Sequence, residues 1–178
     1  TIMVPKDENE LQHMLYTATF INGPCSIRFP RGAGIGILLD PEFKELEIGK
    51  GEVLKKGDDL LILAVGPILY EAMQVADELK INATIINARF VKPLDEELIL
   101  SCASKIKKII TLEEAAINGG FGSAVVELLG DNGIKADVKR IGIPDNFIEH
   151  GKPEIQKKLA GIDKEGIKKA IIEVLSKK

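Results

Sequence analysis

Residues 60–67 read Leu-Leu-Ile-Leu-Ala-Val-Gly-Pro, and this stretch decides the fold class. An apolar run that ends at a glycine and a proline predicts a strand buried on both faces, followed by a tight turn. Apolar residues then recur at helical spacing, at Leu69, Ala72, Met73 and Ala76. A doubly buried strand that leads into an amphipathic helix is typical of a parallel sheet with helices on both faces.

The same alternation of strand and helix continues to the end of the chain. Further strands are predicted at 83–87, 108–112 and 137–141. Helices are predicted after Asp95, after the glycine-rich turn 119–122, and twice after the last strand, with the final one near 165–175. Upstream, residues 51–54 are predicted to form a hairpin with 60–65. Residues 45–178 are therefore predicted to form an α/β domain, a three-layer αβα fold with a mostly parallel sheet.

The first 31 residues predict a separate β-α-β unit. Strands are expected at 1–4 and 25–29, and Asp7 is expected to cap a helix, with Glu10 completing a capping box. The apolar face of this helix is predicted from its spacing, at Leu11, Met14, Leu15 and Ala18. The sequence predicts no partners for the strand edges, which makes the unit too small to fold alone. Residues 32–44, rich in glycine and followed by proline and charge, are predicted to be a linker.

Composition narrows the classes of partner. The 24 basic and 27 acidic residues give a net charge of -3 without a basic stripe, so no nucleic-acid partner is predicted. No apolar run approaches the ~20 residues of a membrane helix, and no signal-peptide layout opens the chain, so a cytoplasmic location is expected. Cys25 and Cys102 lie in apolar stretches and are predicted to be buried thiols. Because Thr1 lies directly in a predicted strand, we expect the chain to be cut from a longer protein.

Three motifs suggest chemistry, and each has a plainer explanation. Glycines 32–36 lack dinucleotide-binding spacing and favour a linker. The turn at 119–123 could hold an anion on helix amides, but without a lysine it favours a tight turn or a subunit contact. Glu113 and Glu114 end a predicted strand, where an interface or structural role is favoured over acid-base catalysis.

Lone histidines and one arginine complete the candidates. No nucleophile is paired with His13 or His150, although His150 lies in a loop that Pro144 and Phe147 could order. Arg31 directly follows the strand at 27–30 and precedes a glycine, so its guanidinium could project into open space and bind a phosphate. The residues alone leave open a surface arginine or one paired with an acidic neighbour.

Several strings together resemble the 1-deoxy-D-xylulose-5-phosphate synthase family of transketolase-like enzymes. Strings that resemble the end of its pyrimidine-binding domain are 5–11, 14–18, 23–24 and Ile27-Arg28-Phe29-Pro30-Arg31-Gly32. Strings that resemble its C-terminal domain are 87–95, 111–114, 119–123 and 142–145. The resemblance runs over nearly the whole chain in the family's order, although Phe29 stands where many members have tyrosine.

The resemblance implies an activity for the longer protein and a reduced role for this chain. The family uses thiamine diphosphate and magnesium to condense pyruvate with D-glyceraldehyde 3-phosphate, releasing carbon dioxide, for isoprenoid, thiamine and pyridoxal biosynthesis. Arg31 matches the family's arginine for the acceptor phosphate. The cofactor, metal and catalytic residues belong upstream, and the string 130–133 is not the family's metal motif. We therefore expect no catalytic, cofactor or metal site in this chain, no cofactor bound to it and no activity alone.

The partners implied by the resemblance are the missing N-terminal and middle domains, with a homodimer in the full-length form. Two alternatives remain open. One is the C-terminal portion of a split transketolase or 2-oxo acid dehydrogenase β subunit. The other is a stand-alone αβα module that binds a small anion at a helix N-terminus.

Overall fold

The computed structural model describes residues 1–177, so that Lys178, the last residue of the predicted domain, lies outside the described residues. The strands are β1 (Ile2–Met3), β2 (Ser26–Ile27), β3 (Glu52–Lys55), β4 (Leu60–Ala64), β5 (Ala83–Asn87), β6 (Phe90–Lys92), β7 (Lys108–Ala116) and β8 (Asp137–Ile143). The helices are α1 (Glu8–Ala18), α2 (Ile68–Glu78), α3 (Glu96–Lys105), α4 (Phe121–Asp131), α5 (Pro153–Ala160) and α6 (Lys164–Ser176).

The main sheet has the strand order β3-β5-β4-β7-β8. Four neighbouring strands, β5, β4, β7 and β8, run parallel to one another. The edge strand β3 is antiparallel to β5. This arrangement confirms the predicted α/β fold with a mostly parallel sheet. The predicted hairpin of β3 with β4 is wrong. Because β5 and β7 occupy both sides of β4, β3 can pair only with the outer side of β5.

The central strand β4 divides the core into two layers. Leu60, Ile62 and Ala64 face a cluster that α2 and α6 cover. Leu61 and Leu63 face a second cluster, which α3 and α4 cover. All five residues of β4 are buried, which is the reason that the sequence of this strand is apolar throughout.

A second, smaller sheet joins the N-terminal residues to the rest of the molecule. Its strand order is β2-β1-β6, with β1 parallel to β2 and antiparallel to β6. The prediction that the β-α-β unit has no partners for its strand edges is therefore wrong. Arg89 adopts a left-handed backbone conformation, with φ of 58°, between β5 and β6, and β6 then pairs with β1 in the smaller sheet. The division into residues 1–31, 32–44 and 45–178 stays a prediction, and residues 28–51 contain neither a strand nor a helix.

Helix α1 buries a different face from the predicted one. Of the four predicted apolar residues only Met14 is buried, and Leu15 is 54% exposed. The other buried side chains of the helix are polar: Glu10, His13 and Thr17. Asp7 caps the helix as predicted and accepts a hydrogen bond from the Glu10 amide at 2.7 Å. The Glu10 carboxylate, however, accepts from the amide of Lys6 at 2.7 Å, which alters the predicted capping box.

The prediction for the cysteines is wrong for one thiol and only partly right for the other. Cys25 is exposed, because it lies in the irregular segment before β2 and outside the packed clusters. Cys102 is half-buried on α3, and burial raises the pKa of its thiol.

Candidate functional site

A cavity of about 840 Å³ lies where the N-terminal unit meets the carboxyl ends of β7 and β8. Such strand ends are the usual binding edge of a parallel sheet, and the volume is within the ordinary range for ligand sites. Four segments form the cavity: residues 28–32 after β2, the end of β7, the loop after β8, and α5. Its ionisable lining residues are Arg28, Arg31, Glu114, His150 and Lys157.

Arg31 is separated from β2 by residues 28–30, which are irregular, so the prediction that it directly follows a strand is wrong. It is exposed, follows Pro30 beyond the end of β2, and lines the cavity. Within residues 1–177, its guanidinium makes no hydrogen bond or ion pair, in contrast to the other arginine in the cavity wall. A charged fork donor that is available in a cavity suits a phosphate or a carboxylate.

Glu114 organises the other two cationic groups in the cavity. Its side chain is 7% exposed, and its carboxylate lies 2.7 Å from Lys157 Nζ and 3.7 Å from an Arg28 guanidinium nitrogen. Arg28 also donates to the Glu114 backbone carbonyl. Lys157 lies 2.9 Å from Glu71 as well. Burial opposes the Lys157 charge, but the two carboxylates outweigh it and raise the pKa of this lysine.

Glu113 has a structural role next to the cavity. One carboxylate oxygen accepts from the Phe121 amide at 2.8 Å and the other from the Gly122 amide at 2.9 Å. Burial raises the pKa of Glu113, although the two amides act in the opposite direction. The predicted structural role of Glu113 is therefore confirmed.

The hydrogen bonds between Glu113 and the α4 amides also determine whether an external anion can bind at the start of α4. The amides that could have held an external anion are already occupied by the Glu113 carboxylate. The alternative of an anion module at this helix N-terminus is wrong for that reason, and the predicted tight turn is confirmed. Gly120 is required there, because a Cβ atom would clash with the backbone carbonyl of Ala116 as well as with the Glu113 carboxylate.

The two histidines have different environments. His13 is buried on α1, where its Nε2 lies 3.0 Å from an Asp40 carboxylate oxygen and its Nδ1 accepts from the Lys44 amide at 3.1 Å. Hydrogen bonds from Lys44 and His13 lower the pKa of Asp40 to about 2. His13 therefore fixes residues 40–44 against α1, whereas His150 is exposed and lines the cavity with Arg31. The sequence suggested His150 and Arg31 separately, and their proximity depends on tertiary packing.

Membrane-spanning helices and metal-binding clusters are both absent from the described residues. None of the helices that the structure describes is long and apolar enough to cross a membrane. Among residues 1–177, no group of three or more histidine, cysteine, aspartate or glutamate side chains is arranged to hold a metal ion.

Comparison with known proteins places the chain in a family. Residues 49–167 match the model for the transketolase C-terminal domain. The whole chain is 53% identical to 29% of 1-deoxy-D-xylulose-5-phosphate synthase 1 from Geobacter sulfurreducens. In a second match, 98% of the chain is 49% identical to 28% of the synthase from Syntrophus aciditrophicus. The chain thus spans less than a third of the length of these relatives.

Solved structures agree with the observed fold. A structure described as a split gene transketolase, inactive beta4 tetramer, has a TM-score of 0.88 at 30% identity and covers 98% of this chain and 57% of its own. Transketolase from Campylobacter jejuni has a TM-score of 0.67 at 16% identity, covering 97% of this chain and 26% of its own, and it supports the fold alone. These matches confirm the predicted resemblance: the chain belongs to the transketolase C-terminal domain family and is similar to the C-terminal part of 1-deoxy-D-xylulose-5-phosphate synthases.

Proposed function

We propose that this chain is the C-terminal part of a 1-deoxy-D-xylulose-5-phosphate synthase. The complete enzyme would condense pyruvate with D-glyceraldehyde 3-phosphate, with loss of carbon dioxide, to supply isoprenoid, thiamine and pyridoxal biosynthesis. The observation that carries the proposal is the similarity of the whole chain to synthases, 53% identical in one of them. A homodimeric enzyme in the cytoplasm is part of the same proposal.

The chain's own contribution is one binding group and a supporting wall. Arg31 would bind the phosphate of the acceptor aldehyde, and its exposed guanidinium in a cavity supports that role. Glu114 would hold the neighbouring Arg28 and Lys157 away from the ligand by pairing with both. Because Arg28 is paired with Glu114, Arg31 is the arginine of the cavity lining that is available to bind a phosphate.

Thiamine diphosphate and magnesium would be bound by other parts of the enzyme. A diphosphate with its metal needs several oxygen ligands from one site. Residues 130–133, the string nearest in composition to the family's metal motif, form the end of α4, where Asn132 caps the helix. Because the described residues do not fit such a site, we expect no turnover from this chain alone.

A chimera tests the proposal. The corresponding C-terminal part of the Geobacter sulfurreducens synthase is replaced by this chain, and formation of 1-deoxy-D-xylulose 5-phosphate is measured. We expect the chimera to be active and the isolated chain to be inactive with the same substrates, cofactor and magnesium. A correctly folded chimera without activity, or turnover by the chain alone, would contradict the proposal.

The role of Arg31 is tested in the same chimera. Arg31→Gln removes a charge-assisted hydrogen bond, so kcat/KM for D-glyceraldehyde 3-phosphate should fall roughly 10- to 100-fold. Activity with unphosphorylated D-glyceraldehyde should change little. Lys56→Gln, at an exposed lysine remote from the cavity lining, is the matched control. Equal losses with both aldehydes would argue against phosphate recognition by Arg31.

A split enzyme remains the second candidate, because one structural neighbour is described as a split gene transketolase. In that case the chain would require a separate partner polypeptide that supplies the cofactor site. Purification of the native gene product with a tightly bound second polypeptide would favour this candidate. A single polypeptide of synthase length would exclude it.

A further inference from the structure

We propose that His150 is a second phosphate-binding residue, which acts with Arg31 on the phosphate monoester of a small sugar phosphate. The identity of that ligand rests on the proposed function. The observation behind the proposal is that both side chains line the same cavity. In the sequence, 118 residues lie between them. The charges in the cavity that carboxylates already neutralise determine which groups are available to an anionic ligand.

The carboxylate of Glu114 lies within ion-pair distance of two of the three arginine and lysine side chains that line the cavity. Lys157 lies between Glu114 and Glu71, at 2.7 Å and 2.9 Å. Arg28 is held by the Glu114 backbone and lies 3.7 Å from its carboxylate. Arg31, by contrast, has no acidic neighbour within ion-pair distance among residues 1–177. The ionisable lining therefore carries a net positive charge, which favours an anionic ligand.

His150 supplies a donor from a different segment of the cavity lining. It lies at the end of the loop that connects β8 with α5, whereas Arg31 lies in the segment after β2. Within residues 1–177, neither ring nitrogen of His150 makes a hydrogen bond, in contrast to those of His13, which are both engaged. An imidazole can donate one hydrogen bond when neutral and two when protonated.

The shape and lining of the cavity fit a phosphate that carries a short carbon chain. The volume of about 840 Å³ exceeds the space that one phosphate requires. Apolar side chains form part of the remaining wall, from the end of β8, the loop before α5 and the residue pair after α5: Ile143, Phe147, Ile148 and Ile162. Asn146 and Gln156 add neutral polar groups near them. The two donors from different segments would hold the phosphate while the carbon chain extends into the cavity.

Nuclear magnetic resonance of the 178-residue chain tests the proposal, with glycerol 3-phosphate as the probe. The chain has two histidines, so that the Cε1–H signal of His13 serves as an internal control. We expect the His150 signal to shift with the same dissociation constant as the Arg31 Nε–H signal, while the His13 signal stays in place. A probe that shifts Arg31 and leaves His150 unchanged would overturn the proposal, as would a chain that binds no probe.

Variants separate the contributions of the two residues. His150→Gln keeps a polar side chain but cannot become charged, and we expect it to weaken binding of the probe about 3- to 10-fold. Arg31→Gln should weaken binding more strongly, and Lys56→Gln should leave it unchanged. Unchanged affinity in His150→Gln would refute the role of this residue.

Sulfate provides a second readout that a merely structural role would not change. Sulfate stays a dianion between pH 8 and 5.5, while histidine side chains gain charge over that range. The other ionisable groups of the cavity lining are Arg28, Arg31, Glu114 and Lys157, of which Arg28 and Lys157 lie against the Glu114 carboxylate. Sulfate should therefore bind more tightly at the lower pH, and His150→Gln should remove this difference. An identical pH dependence in the variant would exclude His150.

The outcomes also separate this proposal from the proposed function. An inactive chimera with intact phosphate binding at Arg31 and His150 would reject the synthase and retain the binding site. An active chimera in which His150→Gln has the parent KM for D-glyceraldehyde 3-phosphate would retain the synthase and reject His150.

Discussion

Glu113 illustrates how one residue can determine both a turn and the use of a helix terminus. The first amides of a helix have no partners within the helix, and an acidic group is favourable there. In this chain the acidic group comes from the preceding strand and accepts two amides of α4. A site that could have bound an external anion is thereby converted into a rigid connection between β7 and α4.

Glu113→Gln tests this structural role. The amide side chain retains one acceptor, but its NH₂ group would face the second backbone N–H, which is left buried without a partner. We expect a loss of about 1–3 kcal/mol in the free energy of unfolding, measured by urea denaturation. Glu127→Gln, at an exposed position of the same helix, is the matched control and should change stability by less than about 0.5 kcal/mol. Equal stabilities of the two variants would contradict the role.

Helix α1 shows that the apolar spacing within one element can be insufficient to predict which face of the element is buried. Its apolar spacing predicted a buried face that includes Leu15, yet the buried face carries Glu10, His13 and Thr17. The polar face is buried because polar partners meet it: Asn87 and Arg89 contact Glu10, and the segment 40–46 contacts His13 and Thr17. Those partners come from distant parts of the chain, so periodicity within α1 could not indicate them.

The elements around β4 were predictable for the opposite reason. Their burial depends on apolar area, which each strand and helix shows in its own sequence, as residues 60–65 and Ile167, Ala170, Ile171 and Val174 demonstrate. Sequence pattern placed Arg31 directly after a strand, which is wrong because β2 ends at Ile27. It could not give the strand order or the presence of Arg31 and His150 in one cavity, because both depend on contacts between distant segments.

The carboxylate of Glu10 is a buried attachment of α1 to the main domain. It is 2% exposed and accepts from Asn87 Nδ2 at 2.8 Å, Arg89 Nε at 2.7 Å and Lys6 Nζ at 3.1 Å. Arg89 and Lys6 also lie 3.0 Å from Glu52, which is partly exposed. Removal of the Glu10 charge would leave two partly buried cations with this single, more solvated carboxylate.

Glu10→Gln should therefore destabilise the attachment of α1. Loss of one partner of a buried ion pair costs on the order of 3 kcal/mol, because the remaining charges stay buried. We expect faster proteolytic cleavage within residues 32–46, which lie between β2 and β3 in the sequence and pack against α1. We also expect a lower free energy of unfolding. Glu42→Gln, an exposed glutamate in that segment, is the control. Cleavage at the control rate would show that the Glu10 contacts do not hold α1.

Across the whole molecule, the N-terminal unit and the main domain share both backbone pairing and core. β1 pairs with β6, and the Val4 amide donates to the Arg89 carbonyl at 2.8 Å. Val4 packs into the cluster between the main sheet and α3 and α4. Tyr70 of α2 donates to the Asp7 cap of α1 at 2.7 Å. These contacts favour a single cooperative structure over two independent units.

Unfolding in urea should consequently be one transition for residues at both ends of the chain. The native signals of His13, in α1, and His150, beyond β8, report on the two parts in one experiment. We expect them to disappear with the same midpoint and the same slope, because loss of the smaller sheet exposes the second core cluster and removes the partner of β6. Glu10→Gln provides the critical comparison, since it weakens the connection between the N-terminal unit and the main domain without changing a residue of the apolar core clusters. If the His13 signal is lost at a lower urea concentration than the His150 signal in the parent chain, the N-terminal unit is an independently melting segment and the shared-core argument fails.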